Sequence, residues 1–203
     1  MTGKLLLDDR GGSAAEFALV LPVLLIFFAA ILDGGRMMWE VNQAEKATQM
    51  GVRFAAVTTV PAGGLASKNF VGVTVGGVTL TQGDNIPASA IGTITCTSAS
   101  CTCPSGCPSG IPGTYNNDAF QKIVDRIAAF KPNVQASNVT VEYRGSGLGF
   151  AGDPTGMDIS PIITVKLSGL QFRPVSTLAL ARFSLPSFAS SLTMEDGVGT
   201  VSN

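Results

Sequence analysis

FALVLPVLLIFFAAIL, residues 17 to 32, is a run of sixteen residues without a charge. Extended back to Ser13 it becomes twenty residues interrupted only by Glu16. At 1.5 Å per helical residue that length matches the roughly 30 Å of bilayer hydrocarbon, so 13–32 is expected to be a transmembrane helix. Lys4 and Arg10 precede it, partly offset by Asp8 and Asp9, whereas Asp33, Arg36 and Glu40 follow its far end. The weak basic bias favours a cytoplasmic amino terminus. Trp39, the single tryptophan, falls within two turns of the apolar end, where an interfacial indole belongs. A cleavable secretory signal would need small residues at the third and first positions before its cut, and 29–35, AAILDGG, supplies no such pair. The segment is therefore expected to stay in the chain.

Composition narrows the remaining choices. The 203 residues carry 13 basic and 14 acidic side chains, a net charge of −1. Nucleic-acid binding by a basic stripe is excluded, since counterion displacement needs clustered positive charge. No histidine occurs, which removes the commonest general base and metal ligand together. Charged residues make up only 13%, against about 25% in an ordinary soluble domain. Twenty-four glycines and 11 prolines speak for loops and strands, while 45% apolar residues are too many for disorder.

Directly ahead of the apolar run stands GGSAAEF, residues 11–17. Here the chain resembles the prepilin family, and more closely the TadE-like pseudopilins of the Tad (tight adherence) pilus system. The likeness continues through EFALVLPVLL at 16–25, GGR at 34–36 and MGVRFAA at 50–56, and covers about the first 57 residues. A looser similarity is found in PIITVKLSGLQFRP and LPSFASSLTMED near the other end. In such proteins a membrane aspartyl peptidase cuts after a glycine and leaves glutamate fifth and an aromatic sixth in the mature chain. The resemblance thus implies a leader 1–11, cleavage between Gly11 and Gly12, and Glu16 and Phe17 as the residues of assembly and register. It further implies a minor pilin of the inner membrane, single-pass, with a periplasmic head that reaches the outside in an assembled pilus. Its partners would be other pilins, the assembly machinery, the prepilin peptidase and membrane lipid, with adhesion as the end. A carboxylate at the hydrocarbon edge is costly unless paired, and the cut terminus of a neighbouring subunit is a cation at the same depth. Pro22 frees the carbonyl of Ala18 and is expected to kink or loosen the helix.

Past the span, Met37, Val41, Ala44, Thr48, Val52 and Ala55 recur at steps of three and four, so the helix is expected to run on to Val57. Such a rod over 12–57 would be roughly 65 Å long, apolar in lipid and amphipathic under a head domain, with Gly34 and Gly35 as a candidate hinge. Pro61, Gly63 and Gly64 then stop it. Strands are expected over Phe70–Thr81, Ala90–Thr95, Val139–Tyr143, Ile162–Leu170 and within Arg182–Met194. Between them one helix, capped by Asn117 or Asp118, is expected to run to Phe130 with Phe120, Ile123, Val124, Ile127 and Phe130 on one face and Pro132 closing its end. The fold class is α+β: a long amino-terminal helix and a mainly antiparallel β head over 58–203 with one additional helix.

Cys96, Cys101, Cys103 and Cys107 fall within twelve residues, CTSASCTCPSGC. Their spacing fits a zinc site poorly, and outside the cytoplasm disulfides are the default. Two pairings stay open: Cys96 with Cys101 and Cys103 with Cys107, or Cys96 with Cys103 and Cys101 with Cys107. RGSGLGF at 144–150 imitates a dinucleotide loop but reads better as a hairpin loop. Asp153 and Asp158 could serve calcium, yet a turn accounts for them, and Asn138-Val139-Thr140 is a glycosylation sequon by spelling only. No cofactor, metal or catalytic residue is assigned and no enzyme is expected. The competing functional reading is a permanently anchored periplasmic binding or adhesion module.

Overall fold

The computed structural model describes residues 12–154, 156–175, 182–197 and 199. The chain is α+β and forms two compact units, one made of the helix up to Val41 with Gln171–Ser184, the other of Asn42–Leu170 with the chain from Leu185 on.

The first unit contains most of α1, which runs unbroken from Gly12 to Ala56. It is helical through Pro22, Gly34 and Gly35, so the glycine pair makes no break. The apolar side chains from Phe17 to Leu32 are largely exposed, and α1 is long and apolar enough to cross a membrane. The unit is completed by two short antiparallel strands, β7 (Gln171–Phe172) and β8 (Phe183–Ser184), in the register Gln171 to Ser184 and Phe172 to Phe183.

The second unit is built on an antiparallel sheet in the order β4-β3-β5-β6-β9. Its strands are β3 (Ile94–Cys96), β4 (Cys101–Thr102), β5 (Val139–Arg144), β6 (Ile162–Leu167) and β9 (Phe188–Thr193). Strand β5 shows why these residues form a half-covered sheet: Val139, Val141 and Tyr143 are buried while Thr140, Glu142 and Arg144 point the other way. On that open face Lys166 pairs with Glu142 at 2.6 Å, and Thr164 shares a hydrogen bond with Ser191.

Two helices cover the inner face. From Ala44 onward α1 buries Ala44, Thr48, Val52 and Ala55 as its spacing predicts, with Ala47 and Ala56 beside them, whereas Val41 is half-buried and Met37 exposed. Gly51 lets the backbone come close: a Cβ there would meet Ile127 Cγ1 at 2.6 Å and Val165 Cγ1 at 3.6 Å. Helix α3 (Asn117–Ala128) supplies Ile127 and buries Ala119, Phe120, Ile123 and Val124 beside it. A short helix, α2 (Gly63–Ala66), lies between.

Three expectations need correction. The cap of α3 is Asn116, whose side chain accepts the Ala119 N–H at 3.0 Å, rather than Asn117 or Asp118. Regular helix ends at Ala128, and Phe130 belongs to the tighter turn that follows, its N–H bonding to the Ile127 carbonyl. Phe70–Thr81 is a tight hairpin of β1 (Thr74–Val75) and β2 (Val78–Thr79) instead of a long strand. Gly76 and Gly77 there have φ of 60° and 84°, the left-handed pair that a two-residue turn requires.

Candidate functional site

Gly11 and the rest of the expected leader lie outside the described residues. Gly12 is the first helical residue, and Glu16 and Phe17 follow one turn later, both exposed. No ion pair or hydrogen bond reaches Glu16 from the described residues. Its carboxylate therefore stands at the mouth of the apolar run with its demand for a counter-charge unmet by that part of the chain.

At the other end of the run the chemistry is different. Asp33 is buried, and its Oδ1 accepts the Val175 N–H at 2.8 Å and an Arg36 Nη1–H at 3.2 Å. Arg36 also donates to the Arg173 carbonyl at 3.5 Å and lies 5.5 Å from the centre of the Phe172 ring. The residues immediately beyond the uncharged run thus hold Phe172–Val175 against the helix. Sequence reasoning placed Asp33 and Arg36 only as flanking charges, because nothing in local spacing shows that a segment near residue 173 comes back to them.

The four cysteines form two disulfides, Cys96 with Cys101 and Cys103 with Cys107, the first of the two pairings left open. Cys96 and Cys101 are directly opposed in the β3–β4 hairpin, so the alternative would require crossing to the next turn of chain. The Cys103–Cys107 loop rests on Gly92, where a Cβ would collide with the Ser105 carbonyl. These bonds shape a surface hairpin at the edge of the sheet.

Asp158 is buried and accepts three backbone N–H groups, from Phe70 at 2.7 Å, Gly152 at 2.8 Å and Asp153 at 3.1 Å. Those donors claim both of its oxygens, and the residue acts as the pin of a turn. Among the described residues no group of three or more His, Cys, Asp or Glu side chains is arranged to hold a metal ion. Asp84 accepts hydrogen bonds from the backbone and hydroxyl of Thr81, which hold its carboxyl below the usual range. Burial pushes the Tyr143 phenol far upward, and its hydroxyl has no hydrogen-bond partner among the described residues. Neither group faces a second reactive side chain in the geometry of a catalytic pair.

The molecule so described is a single-span candidate: one apolar helix, a clasp at its end, and a disulfide-bearing α+β body. Residues 11–53 match the family model of TadE-like proteins, a stretch that includes Glu16, Pro22, Asp33 and Arg36. No curated protein and no solved structure matches the chain.

Proposed function

We propose that this chain is a minor pilin of a Tad-type pilus, made as an inner-membrane precursor, cut between Gly11 and Gly12, and built into the pilus or its assembly base. The observation that carries the proposal is Glu16. It stands exposed one turn into a helix whose next sixteen residues carry no charge, inside the segment that matches TadE-like proteins. Such a carboxylate is stable at that depth when a cation faces it, and the new amino terminus of an adjoining subunit would supply one. Phe17 stands next to Glu16 in the chain, and Pro22 lacks the N–H that would bond to the Ala18 carbonyl, which loosens the span and eases its transfer out of the bilayer. The orientation is amino terminus inside, with the disulfides on the oxidising side. The role is structural, with other pilins, the assembly machinery and the prepilin peptidase as partners.

Intact-mass analysis of the chain from cells with an active prepilin peptidase tests this. The expected mass lacks residues 1–11; a full-length chain would favour the permanently anchored module instead. Glu16→Ala is expected to be processed and inserted normally but to fail in pilus assembly.

A further inference from the structure

The unit formed by the helix up to Val41 and Gln171–Ser184 has a surface that a water-soluble protein would not keep. Val175 is 66% exposed, Phe183 52% and Trp39 68%. The Val175 backbone is hydrogen-bonded to Asp33, the residue directly after the uncharged run, so its depth relative to the end of the span is fixed by covalent and hydrogen-bond geometry. Phe183 is held by its pairing with Phe172, which itself sits over Arg36. Around these apolar groups are three cations: Arg36, whose side chain is 49% exposed, and the exposed Arg173 and Arg182. Two described acids lie on this stretch of the helix: Asp33, which accepts from Arg36 and the Val175 amide, and Glu40, one turn beyond Arg36.

Apolar side chains ringed by arginines at the height where hydrocarbon ends is the chemistry of an interfacial membrane segment. Aromatic and aliphatic groups gain from the headgroup and acyl boundary, and guanidinium groups fork onto lipid phosphates. A protein partner would have to occupy the space in which lipid headgroups already surround the span. We propose that Gln171–Val175 and Arg182–Ser184 form an interfacial collar. It lays Val175 and Phe183 into the lipid headgroup boundary on the carboxyl side of the span, while Arg36, Arg173 and Arg182 bind phosphates. The collar sets how deep α1 sits while the precursor is in the bilayer. This inference rests on the membrane-anchored reading above.

The test uses the full chain in vesicles of phosphatidylcholine and phosphatidylglycerol. Trp39→Phe removes the native indole, and Phe183→Trp or Val175→Trp then reports from the collar at positions whose exposure tolerates the larger ring. A third chain, Trp39→Phe with Phe27→Trp, reports from the span. The expected result is a blue-shifted emission for both collar positions, with strong quenching by lipids brominated near the headgroup, weaker quenching by lipids brominated deep in the chain, and protection from acrylamide. Phe27→Trp should be quenched most by the deep bromines. Collar tryptophans that emit as in water and are quenched by acrylamide, while Phe27→Trp is deep, overturn the collar and leave the span intact. Collar tryptophans shielded from acrylamide yet untouched by brominated lipid overturn it in favour of a protein cover, a second copy included. If Phe27→Trp itself escapes brominated lipid, the membrane reading and the collar fall together.

Discussion

Asp33 and Val175, 142 positions apart in the chain, are joined by a 2.8 Å hydrogen bond from the valine amide to the aspartate carboxylate. The same oxygen faces Arg36, so a single buried acid serves both a backbone donor and a guanidinium. Removing it by Asp33→Ala takes the acceptor from the Val175 amide, while Arg36 retains the Arg173 carbonyl. The expected cost is about 1–3 kcal/mol, felt locally, so that exchange of the Val175 amide with solvent hydrogen quickens by about five- to a hundredfold. Unchanged exchange at Val175, with the rest of the chain as reference, would show that the clasp contributes nothing.

Gly51 predicts an overpacking effect. In Gly51→Ala the new methyl meets the Ile127 side chain, and the expected loss is about 1–3 kcal/mol in denaturant unfolding of the full chain in detergent. Ile127→Ala alone, which removes both Cγ1 and Cδ1, should cost about 2–5 kcal/mol. Combined, the two should cost less than their sum, because the trimmed side chain makes room for the methyl.

The disulfides close loops of five and four positions, so each constrains the unfolded chain by only about 2 kcal/mol. Replacing Cys96 and Cys101 together by alanine should lower stability by about that amount while leaving the sheet intact. Peptide mapping without reduction should give Cys96 linked to Cys101 and Cys103 linked to Cys107. Recovery of a Cys96–Cys103 peptide would refute the described pairing.

Tyr143 predicts a limit on the alkaline side. Burial raises its folded-state pKa, so the phenol stays neutral in the folded chain when the unfolded chain begins to ionise near pH 10. The associated stability is fully present below about pH 10 and is lost as pH rises beyond it. Tyr143→Phe, which also removes a buried hydroxyl without a partner among the described residues, should flatten that decline and leave stability at neutral pH equal or slightly higher. An identical alkaline slope in the variant would assign the decline to other groups.

What the sequence made legible was whatever local spacing controls. The uncharged run before Asp33, the small-residue stripe from Ala44 to Ala55, the face of α3 and the alternation of Val139, Val141 and Tyr143 each follow from one periodicity. The helix cap slipped by a residue because Asn116, Asn117 and Asp118 are three adjacent good caps, and only the backbone angle selects among them. Phe70–Thr81 looked like one strand because valine alternates with small residues, while the adjoining Gly76 and Gly77 fold it back on itself. The cysteines allowed two pairings until β3 and β4 set their register. The Asp33 clasp was illegible for a deeper reason: its two sides carry no shared pattern and meet only through tertiary structure.

The order of strands also bears on when the body can close. Strand β9 is translated after all its described neighbours, yet it flanks β6 over six residues. The Ala56 carbonyl at the end of α1 likewise waits for the amides of Glu195 and Asp196. A nascent chain must therefore hold Val165 and Leu167 beside an empty lane until the ribosome has delivered residue 193. Any factor that shields this gap during synthesis acts on a late, nearly finished intermediate rather than on an early one.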